Sequence, residues 1–152
     1  MGDSDTERNS EMRDALRRAG LRLTAPRLAT LDALGRLPHA TAEDVTRVVT
    51  STLGTVSRQG IYDVLSALEA AGLLRRIEPA GHPSRYETRV EDNHHHVICR
   101  ACGAIADVDC AVGAMPCLKP SSSSGFMVDE AEINFWGWCP DCQLEREKEE
   151  RT

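Results

Sequence analysis

The chain has 152 residues, 41% of them apolar and 28% charged, and a formal net charge of −6 at pH 7. This length allows one ordinary domain or two small ones. No apolar run approaches the roughly 20 residues that span a bilayer, and the polar, acidic N-terminus does not resemble a secretory signal. We therefore expect a cytoplasmic protein that has no membrane partner.

Charge is divided unevenly along the chain. Residues 1–89 contain 13 Lys and Arg against 12 Asp and Glu, net +1, and residues 90–152 contain 5 against 12, net −7. Because charges in solution are screened over about 10 Å at moderate salt, only the local balance acts on a nucleic-acid phosphate. The acidic total therefore does not exclude a nucleic-acid partner for the first half.

The first half has the apolar spacing of helices. Residues 1–10 are polar and predict a disordered lead-in. From Glu11 to about Gly72, apolar residues recur at helical spacing and predict four helices. Good N-capping residues begin the second, third and fourth of these, at Thr24, Thr41 and Ser57.

The pattern after Gly72 predicts two strands, Leu73–Ile77 and Ser84–Glu87, joined by a turn at Gly81 and Pro83. Helices followed by a β-hairpin predict a winged helix-turn-helix domain over residues 11–87. In that fold the fourth helix is the recognition helix. Its first turn offers four candidate DNA contacts, Ser57, Arg58, Gln59 and Tyr62. A generic helical bundle with a solvated basic face explains these patterns equally well.

The second half is predicted to be richer in strands. Residues 88–93 are the expected hinge. Strands are expected at 95–100, 104–108 and 126–138, within a zinc-binding domain over residues 94–145, and a charged helical tail covers 146–152. The predicted fold class is α+β, with an N-terminal winged helix and a C-terminal α/β domain.

Two C-x2-C motifs, Cys99/Cys102 and Cys139/Cys142, flank the second domain. Each motif places two sulfurs on one side of a turn, and four thiolates complete a tetrahedral structural Zn²⁺ site. The alternatives are redox motifs or unconnected thiols. Cys110 and Cys117 remain, either as a redox-active thiol pair or as inert cysteines.

Histidines form a second cluster of candidate ligands. His94 and His96 lie on one face of a predicted strand because side chains alternate along it. Glu87 and Asp107 could add carboxylates, and such a nitrogen and oxygen donor set suits Fe²⁺ or Mn²⁺, or Zn²⁺ less selectively. An exposed histidine tract is the alternative. His39 stands in a loop, where a lone histidine is usually not a ligand.

Taken together, these motifs resemble those of a known family. They follow the order Arg22-Leu23-Thr24-x-Pro26-Arg27, Pro38-His39-Ala40-Thr41, Ser57-Arg58-Gln59-Gly60-Ile61-Tyr62, Arg85-Tyr86-Glu87, His94-His95-His96-Val97-Ile98-Cys99-x-x-Cys102-Gly103 and Cys139-Pro140-Asp141-Cys142. This series resembles the ferric uptake regulator family of metal-dependent bacterial repressors, from about residue 11 to residue 143.

The resemblance implies a homodimer that binds palindromic double-stranded operator DNA, with the C-terminal domain as the dimerisation domain. It places five residues in a regulatory Fe²⁺ or Mn²⁺ site: His39, Glu87, His94, His96 and Asp107. It also implies that Arg22 reaches the minor groove and that Tyr62 contacts a thymine methyl. Gly60 and Asp63 depart from the usual recognition helix, and Asp63 could accept from cytosine or orient Arg58.

Residues 106–113 and 128–137 resemble the actinobacterial branch of the family, which represses catalase genes and responds to peroxide. Glu87 stands where the best-known peroxide sensors carry Asp, so iron sensing is the alternative. Thiol sensing through Cys110 and Cys117 is a third possibility.

Two other classes explain less of the sequence. A zinc hydrolase or deaminase needs an open zinc position and a general base, and the sequence has no H-x-E motif before either cysteine pair. We therefore expect no enzyme. A zinc-ribbon interaction module would explain the cysteines but not the basic segment of the first half.

Overall fold

The computed structural model describes residues 2–90, 92, 94–110 and 118–152. The chain divides into two compact units, Met1–Val90 and Glu91–Thr152, and this division falls inside the predicted hinge segment. The described elements are α1 (Asp3–Arg18), α2 (Ala25–Arg36), β1 (Ala40–Thr41), α3 (Ala42–Leu53), α4 (Arg58–Ala70), β2 (Arg75–Ile77), β3 (Arg85–Glu87), β4 (His94–Cys99), β5 (Ile105–Asp109), β6 (Asn134–Gly137) and α5 (Pro140–Glu150). Helices and strands therefore mix as the predicted α+β class requires. Among these residues, no helix combines the length and apolar character needed to cross a membrane.

The predicted N-caps begin three helices of the first unit. The Thr24 hydroxyl accepts from the Arg27 N–H at the start of α2, and the Ser57 hydroxyl accepts from the Gly60 N–H at the start of α4. Thr41 and Asp44 form a reciprocal capping box at the start of α3. Hydrogen bonds from the Thr41 backbone and hydroxyl lower the pKa of the Asp44 carboxyl, so this cap stays ionised at neutral pH.

A single apolar core holds the helices of the first unit together. Each helix contributes the buried stripe that helical spacing predicts, and the start of the hairpin closes the core. Its largest fully buried aliphatic members are Leu16, Leu34, Val45, Val49, Ile61, Leu65 and Leu68.

The expected disordered lead-in over residues 1–10 is wrong, because α1 begins at Asp3. Two aspartates in its first turn, Asp3 and Asp5, complement the positive end of the helix dipole. Arg8 lies 2.7 Å from the Asp5 carboxylate and 3.1 Å from that of Asp32 on α2. These polar contacts extend the helix beyond the apolar stripe on which the prediction depended.

The hairpin forms as predicted and gains a third strand. β2 and β3 pair antiparallel, and β3 also pairs with the short strand β1. The turn between β2 and β3 closes where the His82 N–H donates to the Pro79 carbonyl at 3.0 Å. Gly81 occupies the left-handed region there, at φ +79°. Pairing of Ala40 with Tyr86 brings the loop before α3 against β3.

The second unit is built on a sheet in the order β5-β4-β6. β4 lies in the centre, antiparallel to β5 and parallel to β6. The strand predicted over 126–138 is correct only at Asn134–Gly137, since residues 118–133 form neither helix nor strand. There the side chains of Phe126 and Met127 are 75% and 94% exposed. Their apolar character therefore did not indicate a buried strand.

Candidate metal centres and DNA-contact surface

The four predicted cysteines come together in the second unit. The sulfurs of Cys99, Cys102, Cys139 and Cys142 all lie within 4.8 Å of one another. The Sγ atoms of Cys102 and Cys139 are 3.7 Å apart. A tetrahedral site with Zn–S bonds of about 2.3 Å separates its sulfurs by about 3.8 Å, so the cluster fits a structural Zn²⁺.

Each cysteine pair is shaped by its local backbone. After β4 the chain reverses, with the Gly103 N–H donating to the Cys99 carbonyl at 3.0 Å and the Cys99 N–H to the Ala104 carbonyl at 2.9 Å. Gly103 adopts φ +74°, which favours glycine. The second pair opens α5, where Cys139 is the N-cap and Pro140 stands in the first turn.

The charges of the four cysteines favour a bound cation. Backbone N–H groups of Cys102 and Cys139 lower the pKa of the Cys99 thiol to about 6. In contrast, the hydrogen bond with Cys139, burial and the neighbouring sulfurs raise the pKa of the Cys142 thiol. Four thiolates at this spacing repel one another, and a dication removes that penalty.

The first unit contributes two of the predicted regulatory ligands as a buried pair. The Nε2 atom of His39 lies 3.1 Å from Oε2 of Glu87. His39 occupies the left-handed region at φ +65°, which is unusual for a side chain of this size. The Arg85 guanidinium donates to the His39 carbonyl at 3.1 Å and holds this conformation. The backbone of His39 is therefore fixed while its ring faces Glu87.

The second unit brings the other three together on one face of the sheet. The Nε2 atoms of His94 and His96 lie 3.6 Å and 3.4 Å from the same Asp107 oxygen. The register pairs His96 with Asp107 across β4 and β5. His94 and His96 are buried, and their rings meet edge to face with centroids 4.9 Å apart. Two imidazoles and a carboxylate that converge in this way match the ligands of Fe²⁺ and Mn²⁺.

Two contributing residues were missed in the sequence. Arg85 holds the backbone of His39, and the Asp92 carboxylate lies 2.8 Å from Nδ1 of His94. The Asp92 contact could have been found from the sequence, because a carboxylate two residues before a predicted ligand is a usable signal. The Arg85 contact depends on pairing between β1 and β3, which the sequence did not indicate.

The predicted DNA contacts fall on exposed surface of the first unit. Arg22, Arg58 and Tyr62 are exposed, and within the described residues neither arginine forms an ion pair. The Arg27 guanidinium donates to the Arg22 carbonyl at 2.8 Å and fixes the loop that carries it. Ser57 uses its hydroxyl oxygen to cap α4, accepting from the Gly60 N–H.

Asp63 has a partner on its own helix that the sequence analysis did not name. Its carboxylate accepts from the Gln59 side-chain amide at 2.9 Å, one helical turn earlier on α4. Both side chains are exposed. Gln59 therefore orients this carboxylate.

Only one of the two remaining cysteines can be placed. Cys110 follows β5 and is half-buried, and Cys117 lies outside the described residues. The predicted thiol pair therefore has no structural description.

Fold and ligand chemistry together define a class, a winged-helix protein with a four-cysteine zinc centre and histidine–carboxylate metal ligands. The sequence model of the ferric uptake regulator family matches residues 18–135. The chain belongs to that family, whose members are metal-responsive transcriptional regulators.

Curated relatives place the chain within the family. It is 56% identical over 131 residues to the transcriptional regulator FurA of Mycobacterium tuberculosis, covering 86% of this chain and 89% of that protein. It is 60% identical over 121 residues to ferric uptake regulation protein 1 of Mycolicibacterium fortuitum, covering 80% and 75%. The predicted actinobacterial branch is thereby confirmed.

A solved structure supports the fold. The ferric uptake regulator of Helicobacter pylori superposes with a TM-score of 0.67 at 20% identity, covering 91% of this chain and 93% of that chain. The predicted combination of winged helix and α/β domain is therefore confirmed.

Proposed function

We propose that this protein is a metal-dependent repressor in the cytoplasm that binds promoter DNA as a homodimer and is released when peroxide oxidises its Fe²⁺ site. Its targets are then catalase and other oxidative-stress genes. The observation that carries the proposal is the paired ligand chemistry, a His39–Glu87 pair in one unit and a His94–His96–Asp107 group in the other. High identity to mycobacterial FurA supports the actinobacterial branch.

A single divalent ion that takes ligands from both groups would make DNA binding depend on metal binding. His39 and Glu87 belong to the winged-helix unit, and the other three ligands belong to the dimerisation unit. A bound ion favours the arrangement in which the two winged helices of a dimer match palindromic half-sites one helical turn apart. Operator affinity then follows the fraction of protein in that arrangement. The ion raises this fraction because it binds that arrangement more tightly than the others.

The choice of ion decides the response to peroxide. Fe²⁺ held by these histidine and carboxylate ligands would supply the electron that reduces peroxide, and a ligand histidine would be oxidised, whereas Mn²⁺ held there would support repression without this chemistry. The protein's own contribution is to hold the histidine ligands in a buried site, since His39, His94 and His96 are each less than 10% exposed.

Iron sensing is the second candidate function, and Glu87 is the observation that favours it. Its carboxylate lies 3.1 Å from Nε2 of His39, at the position where the best-known peroxide sensors have Asp. In that case Fe²⁺ acts as a corepressor of iron-uptake genes, and loss of iron relieves repression without oxidation. A thiol-based response through Cys110 and Cys117 is a third candidate, without a structural observation in its favour.

The experiment that tests the core of the proposal is a mobility-shift titration of catalase-gene promoter DNA with metal-free and Mn²⁺-loaded protein. Regulatory coupling of about 1–3 kcal/mol predicts roughly 5- to 150-fold tighter binding with metal. Equal affinity in the two states would contradict metal-dependent repression. Absence of DNA binding in both states would favour the interaction-module alternative.

The DNA contacts are proposed from exposure and charge. Arg22 and Arg58 are cationic side chains on the surface of the first unit. Several other arginines of this unit form ion pairs with carboxylates: Arg8, Arg17, Arg36, Arg47 and Arg76. Tyr62 is 44% exposed near the start of α4 and offers an aromatic surface to a thymine methyl.

Two substitutions separate electrostatic positioning from base recognition. Arg22→Ala should weaken binding to all sequences and lower the salt dependence by about one unit of slope, because one phosphate-neutralising charge is lost. Tyr62→Ala should weaken operator binding by about 1–3 kcal/mol and also relax the base preference. Operator and scrambled-sequence titrations at several salt concentrations measure both effects.

Tyr62→Phe is the matched control for this pair, because it keeps the ring and should keep the base preference. Wild-type operator affinity in both alanine variants would refute the placement of the DNA-contact surface.

A further inference from the structure

Asp92 makes a contact that neither metal centre includes. Its Oδ1 lies 2.8 Å from Nδ1 of His94, on the opposite side of the ring from the nitrogen that faces Asp107. The His94 side chain is fully buried, whereas that of Asp92 is 47% exposed. Asp92 also falls in the segment where the chain passes from one compact unit to the other.

The chemistry of the two atoms shows which of them carries the hydrogen. A carboxylate at neutral pH only accepts hydrogen bonds, so the hydrogen of this contact is carried by Nδ1. In a neutral imidazole the lone pair then stands on Nε2. That nitrogen lies 3.6 Å from Oδ1 of Asp107. Two electron-pair donors therefore face each other, and a cation could bind to both.

We infer that Asp92 is a positioning residue for the regulatory metal, acting through His94. It selects the tautomer in which Nε2 can ligate and orients the ring towards Asp107. Carboxylates that hold a metal-bound histidine in this way typically change metal affinity by about 10- to 100-fold. The inference rests on the proposed function, in that His94 is taken as a ligand of the regulatory ion.

The position of Asp92 in the chain gives the contact a second consequence. The hydrogen bond joins a residue of the inter-unit segment to a ligand only two residues away. A change in the backbone of this segment that breaks the contact therefore also removes the hydrogen bond that fixes Nδ1 of the buried His94 ring. The conformation of the segment and the affinity for metal are then linked through Asp92.

The test compares Asp92→Asn with Asp129→Asn, which removes the same charge from an exposed position in the irregular segment before β6. Mn²⁺ affinity is measured by calorimetry on the full-length, zinc-containing protein. Asp92→Asn should bind Mn²⁺ about 10- to 100-fold more weakly than wild type, and Asp129→Asn should match wild type. Asp92→Glu keeps the carboxylate and should recover most of the affinity.

A second readout distinguishes positioning from a general structural role. Nitrogen-15 NMR of the imidazole rings in Mn²⁺-free wild-type protein should show His94 protonated on Nδ1, and Asp92→Asn should change its tautomer distribution. Zinc content and the unfolding transition should be unchanged. An unaltered Mn²⁺ affinity in Asp92→Asn, or loss of its zinc, would overturn the inference.

These outcomes are separable from failure of the proposed function. If Mn²⁺ leaves wild-type operator affinity unchanged while Asp92→Asn still weakens Mn²⁺ binding, the repressor proposal fails and the role of Asp92 stands. If Mn²⁺ strengthens operator binding equally in wild type and Asp92→Asn, at equal Mn²⁺ concentrations that leave the wild-type site only partly filled, the role of Asp92 fails and the repressor proposal stands.

Discussion

Replacing Cys139 with serine should release the zinc and unfold the second unit. This small unit has only a limited apolar core, in which Ile98 is the one fully buried large aliphatic side chain among the described residues of the unit. A structural zinc site contributes on the order of 10 kcal/mol to folding in small domains, about the whole stability of a typical domain. We therefore expect zinc content to fall from about one ion per chain to near zero, with loss of the unit's cooperative unfolding transition.

Cys110→Ser is the matched control, because Cys110 lies outside the four-sulfur cluster. This variant should retain zinc and the wild-type unfolding curve. Metal analysis by mass spectrometry and circular dichroism measure both variants. A second unit that folds without zinc in the wild-type protein would contradict the structural role of the cluster.

Replacing His96 with alanine should abolish the response of DNA binding to metal. His96 is 1% exposed at the centre of β4, and its Nε2 lies 3.4 Å from Asp107. In the proposed mechanism, loss of this ligand weakens the metal binding on which the DNA-binding response depends. With Mn²⁺ present, operator affinity should fall to the metal-free value, a change of about 5- to 150-fold. The metal-free affinity itself should stay as in wild type.

His95→Gln offers a comparison at the neighbouring position, because adjacent side chains on a strand point to opposite faces. It should keep the Mn²⁺ response, as measured by the same mobility-shift titration. Retention of the full response in His96→Ala would exclude His96 from the regulatory site.

The features best predicted from the sequence are those encoded by neighbouring residues. Thr24, Thr41 and Ser57 cap helices because an N-cap depends on residues only two or three positions away. Each C-x2-C motif is equally local, and the presence of two in one short domain was enough to predict that they form one cluster. Alternation along β4 correctly placed His94 and His96 on one face, beside Asp107.

The features that were missed depend on contacts across the fold. The first helix extends to Asp3 because Arg8 reaches Asp32 on α2, a partner 24 positions away that no local pattern reveals. The short strand β1 exists only because β3 lies beside it. Conversely, residues 126–133 have strand-like composition but form no strand, since a strand also requires a paired neighbour.

His39, in the loop before α3, is a candidate metal ligand that the structure supports more strongly than the sequence does. A lone loop histidine predicts little by itself, and only the resemblance to the family marked His39. The left-handed backbone, the Glu87 contact and the Arg85 hydrogen bond together single it out. None of them can be derived from residue type or spacing, because each joins residues about 46–48 positions apart or depends on backbone conformation.

The most direct test of peroxide-controlled repression compares one operator complex loaded with two metals. Fe²⁺-loaded and Mn²⁺-loaded protein are bound to promoter DNA without oxygen, exposed to hydrogen peroxide, and assayed by mobility shift, with mass spectrometry of the histidine-containing peptides. The proposal predicts that the Fe²⁺ complex dissociates and gains oxygen on a ligand histidine, and that the Mn²⁺ complex stays bound and unmodified. Persistence of the Fe²⁺ complex under peroxide would contradict the proposal and favour iron sensing.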